Sequence, residues 1–258
     1  MTDNAFDDGA GRGRLDAATE AITSTAPPLP GPRILSQRWS DATFVHWRVD
    51  PAEVTPHLPD GTRPDVFDGS AWVGLIAFQM SRTSFFGGPA IPWLGTFPEI
   101  NVRHYSVDGA GRRGVVFASL EASRLLPVLA ARLAFGLNYQ WARMSLGRRG
   151  DHVGYRSRRL GPGLPATHLV ARVLEQPVQD DPLADFLTAR WAFHERHLGR
   201  TWYSRNSHEP WPLQRAELVH IRDDLLAVAG FPHLAARAPD SVLFSPGVDT
   251  VFSAPHRL

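Results

Sequence analysis

The sequence predicts an α+β fold in which strands outweigh helices. Three observations carry this: apolar runs at residues 71–78 (AWVGLIAF) and 115–120 (VVFASL), strict alternation across 99–105, and helical spacing over 125–135. A run that is apolar on both alternating faces suits a central strand covered on two sides, whereas alternation suits a strand with one polar face.

The elements follow in chain order. Residues 1–32 are rich in Gly, Ala, Asp, Thr and Pro and end in PPLPGP, so a flexible tail is expected there. Residues 33–258 are dense in aromatic and aliphatic side chains, with no second linker and no repeat, and predict a single domain. After the strand at 71–78 comes a long connector, 81–96 (SRTSFFGGPAIPWLGT). Its Phe85, Phe86 and Trp93 suggest a lid or a subunit contact rather than disorder. In the alternating segment Glu99, Asn101, Arg103 and Tyr105 share one face, and Ile100, Val102 and His104 the other.

Gly109, Gly111 and Gly114 match the glycine pattern of dinucleotide sites, but a strand follows them where a helix is needed, so a hairpin turn is the reading. The helix at 125–135 sets Arg132 on its apolar stripe beside Leu125, Val128 and Leu129, with Gly136 as its C-terminal cap. Further helices are expected at 181–197 and 223–229. Strands are expected at 169–174, 216–221, 242–245 and 250–253.

Composition excludes several chemistries. All 27 basic residues other than histidine are arginine, and without lysine no side chain can form an imine with a carbonyl substrate or pyridoxal phosphate. Cysteine is absent too, which removes disulfides, thiolate nucleophiles and cysteine-ligated metals. The 26 acids balance the bases to a net charge of +1, so neither a nucleic-acid nor a membrane partner is expected. No leader-like apolar run opens the chain and none approaches the ~18 residues of a membrane span, which makes the cytoplasm the expected compartment.

Other candidate groups carry bland readings beside sharp ones. His194, Glu195 and His197 lack the spacing of a metal motif and read as solvent-facing helix residues. No metal site and no G-x-S-x-G elbow is identified, while a dispersed Ser/His/Asp triad stays open. Arg132 on an apolar stripe needs an acceptor, either a structural carboxylate such as Glu99 or Glu121, or a ligand anion. The polar face from Glu99 to Tyr105 is either solvated or shaped to hold a small oxygen-rich ligand.

An ordered series of segments then resembles a known family. It runs from Arg38-Trp39, His46-Trp47 and Leu58-Pro59 through FDGSAWVG at 67–74 and FPEINVRHY at 97–105 to FASLE at 117–121. It continues with Ala131-Arg132, LNY at 137–139 and HEPWPL at 208–213. The series resembles the YqjF-like family (DUF2071), a branch of the acetoacetate decarboxylase-like superfamily. The resemblance implies a mainly antiparallel, cone-like or barrel-like sheet with surrounding helices and an internal ligand cavity, which the Glu99 to Tyr105 face would line. Where the decarboxylases carry their imine-forming lysine, this chain reads GLNYQ at 136–140, with Tyr139 and Gln140 in place of two adjacent lysines. Asn138 stands where the YqjF-like branch usually has proline.

The expected function is that of a cofactor-independent enzyme acting by non-covalent acid-base chemistry on a carbonyl, enol or carboxylate metabolite. Isomerisation, dehydration, cyclisation and imine-independent decarboxylation are the reactions within reach. Glu99 would be the general acid or base, with Tyr139 orienting or donating. Arg103 and Arg132 would hold anionic oxygen, with Asn101, Tyr105 and Gln140 completing the binding set. The alternative is a non-catalytic carrier using the same cavity; assembly of identical copies is left open.

Overall fold

The computed structural model describes residues 17–92, 95–124, 137–161 and 163–258. The helix expected at 125–135, with Arg132, and Trp93 of the connector lie outside the described residues.

The strands are β1 (Arg33–Val49), β2 (Thr62–Pro64), β3 (Ala71–Phe85), β4 (Phe97–Asp108), β5 (Arg113–Ala122), β6 (Tyr139–Arg149) and β7 (His152–Arg159). They continue as β8 (Ala166–Pro177), β9 (Ala192–His197), β10 (Arg200–His208), β11 (Gln214–Asp223), β12 (Ser241–Ser253) and β13 (His256–Arg257). The described helices are short: α1 (Pro51–Val54), α2 (Pro182–Thr188) and α3 (Leu225–Val228), the last inside the expected 223–229. None is long and apolar enough to cross a membrane.

One sheet joins all these strands in the order β13-β10-β9-β5-β6-β7-β8-β11-β12-β1-β3-β4-β2. The additional pairing of β4 with β5 returns the sheet on itself, and β10 with β12 makes a second closure. The sheet is mixed rather than simply antiparallel, because β5 runs parallel to both β6 and β9. The main core lies on the face that carries Val73, Leu75, Ile100 and Val102, with Trp47, Tyr155 and Phe244. β4 therefore turns Ile100 and Val102 into the core and Glu99, Asn101 and Arg103 to the opposite face, as its alternation requires.

Three expectations change on this scaffold. The segment 181–197 is not one helix. Asp181 caps α2 by accepting from the backbone N–H of Leu183 and Ala184, but after Thr188 the chain turns, and β9 pairs with β10 from Ala192↔Arg205 to His197↔Arg200. Ladder bonds to a neighbouring strand outweigh helix propensity in this stretch, and the hairpin turn at Leu198-Gly199 was the local sign of them. The connector at 81–96 is shorter than expected, because residues 81–85 extend β3 and pair with β1 (Arg38↔Ser81, Leu35↔Phe85). The separate strands at 242–245 and 250–253 are one strand, β12, paired along β1.

The glycine-rich stretch is the hairpin turn expected of it. Asp108 Oδ1 accepts from the N–H of Ala110 and Arg112, and Gly111 takes φ 80° before β5 begins. Residues 17–32 form no helix or strand and lie on the body, with Thr23 O accepting from Trp191 Nε1 and Glu20 O from Arg113 Nε.

Candidate active site

The face of β4 turned away from the core borders a cavity of about 390 Å³ closed by β1, β3, β5, β9, β10 and α2. Its walls are mainly apolar, with Phe44, Ile76, Phe78, Phe97, Phe117 and Trp211 prominent. Among them Glu99, Asn101, Arg103, Tyr139, Arg190 and His208 supply polar groups.

Glu99 is 2% exposed. Its Oε2 accepts from the Tyr139 hydroxyl at 2.7 Å and its Oε1 from Asn101 Nδ2 at 3.2 Å. Asn101 follows on the same strand face, while Tyr139 arrives because β6 starts alongside β5, Leu120 facing Tyr139, with Asn101 opposite Leu120. Burial pushes the Glu99 carboxyl up to about 7, against the two hydrogen bonds that stabilise its anion. Burial first, and then the Glu99 charge, holds the Tyr139 phenol well above its usual range. Glu99 can therefore release or take a proton near neutrality while Tyr139 remains a donor.

Arg103 stands further along β4 and forms no ion pair with Glu99 or any other carboxylate among the described residues. Its Nε donates to Tyr105 Oη at 3.2 Å and its Nη2 to Leu187 O at 3.0 Å. Tyr105 Oη donates to Leu187 O at 2.8 Å and lies 2.7 Å from His46 Nε2. Burial, reinforced by Arg103 and Arg190, holds His46 well below the usual histidine range, so it is neutral and its Nε2–H donates to Tyr105. Gly74 in the apolar run 71–78 makes room for this ring: a Cβ there would sit 2.7 Å from His46 Nε2.

Arg190 was missed by the sequence reading, which placed it in a helix. Its guanidinium lies 4.4 Å from the Tyr105 ring centroid and 4.1 Å from that of Phe186, and Nη1 reaches Asp65 Oδ2 at 2.5 Å. Asp65 also pairs with Arg113. Arg190 Nη2 is buried without a hydrogen-bond partner among the described residues, and its residue lines the cavity. Arg103 and Arg190 thus both lie against the Tyr105 ring, and both residues line the cavity. His208, beside Trp211, is lowered to about 4 by burial and by Arg103.

Other expected site residues fall elsewhere. Tyr105 supports the site from behind rather than lining the cavity. Gln140 donates to Asn138 Oδ1 at 2.8 Å and is not among the lining residues. Phe85 lines the cavity, whereas Phe86 is 79% exposed. Glu121, offered as a partner for Arg132, is held by Arg159 at 2.5 Å.

The cluster at 194–197 also changes reading. His194 and Glu195 are buried in β9 rather than solvent-facing, and burial pushes Glu195 up to about 8. A Ser/His/Asp set does assemble, with Ser106 Oγ 2.8 Å from His194 Nδ1 and Asp108 Oδ2 3.5 Å from Nε2. All three are buried, none lines the cavity, and Ser106 donates to Gly114 O, so this set fastens β4 to β9 rather than presenting a nucleophile.

Comparison with known proteins now adds to the geometry. The family model DUF2071, described as an uncharacterized conserved protein, matches residues 36–249. The chain belongs to the DUF2071 family. The Bacillus subtilis (strain 168) protein YqjF, itself described as uncharacterized, is 34% identical over 186 residues, covering 71% of this chain and 76% of YqjF. Solved structures share the fold. An acetoacetate decarboxylase-like enzyme from Sphingomonas wittichii RW1 aligns with a TM-score of 0.62 at 18% identity, over 88% of this chain and 93% of its own. The enduracididine biosynthesis enzyme MppR complexed with pyruvate aligns at 0.60 and 17%, over 88% and 91%. Acetoacetate decarboxylase from Legionella pneumophila subsp. pneumophila str. Philadelphia 1 aligns at 0.60 and 12%, over 96% and 98%. This DUF2071 chain therefore has the acetoacetate decarboxylase-like fold.

Proposed function

We propose that this protein is a cofactor-independent enzyme that moves a proton on a metabolite with an anionic carboxylate or enolate end and an apolar body. The observation that carries the reading is Glu99: a buried carboxyl with a proton affinity matched to neutral pH, in contact with Tyr139 and open to a cavity. The guanidinium edges of Arg103 and Arg190 suit the anionic end. The apolar walls suit the body of the ligand and keep water from the proton in flight.

In this reading the ligand's anionic oxygens take the free hydrogen-bonding edges of Arg103 and Arg190. Glu99, as carboxylate, removes a proton from the carbon next to the carbonyl; as carboxylic acid, it returns the proton at the product position. Tyr139 holds the carboxyl in place and donates to whichever oxygen is charged. Isomerisation, dehydration, cyclisation and decarboxylation without an imine all fit this proton inventory. An imine route has no side-chain amine in this lysine-free chain. The pyruvate complex of MppR, which shares the fold, supports a keto acid as the type of ligand to try first.

The carrier alternative is favoured by one observation, the predominance of apolar side chains in the cavity wall. A thermal-shift screen of keto acids and longer apolar carboxylates addresses both readings. A ligand at about 100 times its Kd should add about 2.7 kcal/mol of stability, and Arg103→Ala should abolish that gain. Mass spectrometry of the hit after incubation then separates them, since an altered product supports the enzyme and an unchanged ligand supports the carrier.

A further inference from the structure

β6, β7, β8 and β11 continue the sheet beyond the cavity, and their corresponding face carries exposed and half-exposed side chains. Register places Arg143 opposite Arg158, and in the next row Arg156 opposite His168 and His168 opposite Arg222. Arg149 lies opposite His152, which faces Arg172. Arg143, Arg149, Arg156, Arg158 and Arg222 are all exposed, and none has an ion-pair partner among the described residues; only Arg172 is matched, by Glu217. Like charges facing across strands repel. His168 reports the resulting field: burial first, and then Arg156 and His220, lower its proton affinity.

Apolar groups border this cationic field at one end. Leu160 N donates to Trp141 O, and the following turn presents Leu164; Trp141 and Leu164 are 41% and 47% exposed. Trp141 is two residues from Tyr139, so the border lies on the strand next to the cavity wall.

We propose that this face docks on a membrane surface rich in anionic phospholipid, with the five unmatched arginines on lipid phosphates and Trp141 and Leu164 in the interfacial layer. Arginines in two dimensions match a sheet of phosphates, and tryptophan with leucine at the margin suits the headgroup boundary. Single-stranded RNA offers the same phosphates but calls for aromatic rings interleaved with the cations. Here the ring stands at the edge beside aliphatic leucines. A second copy of the chain would set arginine against arginine. The balanced net charge conceals this face, where Glu217 beside Arg172 and Asp151 beside His152 leave five arginines without an ion pair among the described residues.

Flotation of the full chain with vesicles tests the proposal. The protein should float with phosphatidylcholine vesicles containing phosphatidylglycerol, stay behind with phosphatidylcholine alone, and be released at ~0.5 M salt. The triple variant Arg143→Ser, Arg156→Ser, Arg158→Ser should lose at least about tenfold in bound fraction. The pair Trp141→Ser and Leu164→Ser should also weaken flotation with every arginine kept. Circular dichroism verifies the fold, and Arg222→Glu alone serves if the triple variant does not fold. No flotation with anionic vesicles, or tighter binding to a short oligouridine RNA than to those vesicles, would overturn the proposal.

Discussion

The Tyr139 hydroxyl donates a 2.7 Å hydrogen bond to Oε2 of Glu99, joining the start of β6 to the cavity face of β4. That bond favours the ionised carboxylate and opposes the burial that disfavours it. Tyr139→Phe should therefore raise the Glu99 pKa above about 7, read by infrared difference spectroscopy of the carboxyl band against Glu99→Gln. An unshifted titration would mean that the hydroxyl does not set the proton affinity.

Glu99 also leaves a mark on stability. A carboxyl whose pKa rises from 4.5 to about 7 on folding binds its proton more tightly in the folded state, so its contribution falls as pH rises through that interval. The loss is on the order of 3 kcal/mol between those limits. Urea midpoints of wild type and Glu99→Gln, measured from pH 4.5 to 8, should show the variant gaining on the wild type with rising pH. Parallel curves would place the carboxyl in water.

The predominance of strands, and the common face of Glu99, Asn101 and Arg103, could be read from the chain because alternation is a local property. Glu99, Asn101 and Arg103 fall on one face of β4 whatever surrounds it, and the family resemblance supplied the cavity that they line. Arg190, His46 and Asp65 were not assigned roles, since each is defined by partners remote in sequence: Asp65 is 125 residues from Arg190. The stretch after Thr188 misled for the same reason, since its strand exists only through β10. The arginine face escaped because a charge total records amount and not register.

Asp65 holds two cations, Arg113 and Arg190, in a buried corner behind Tyr105. Asp65→Ala should cost about 3 to 5 kcal/mol by leaving buried charge unmatched. Asp249→Ala, which breaks exposed pairs to Arg38 and Arg82, should stay within about 0.5 kcal/mol. Similar losses in chemical denaturation would contradict the burial of the Asp65 corner.

Trapping of an imine should fail. Incubation with pyruvate or a small β-keto acid followed by borohydride should leave every internal residue unmodified in peptide mass spectra, because no lysine is present. A reduced adduct on an internal side chain would require chemistry that none of the cavity residues offers.

The most direct measurement of the central claim compares binding and turnover of a screened ligand in Glu99→Gln. An amide keeps the size and much of the hydrogen bonding of the carboxyl but cannot carry its proton, so Kd should change by less than about threefold while turnover falls by about 10² to 10⁴. Turnover at the wild-type rate in that variant would contradict the assignment of Glu99 as the proton carrier.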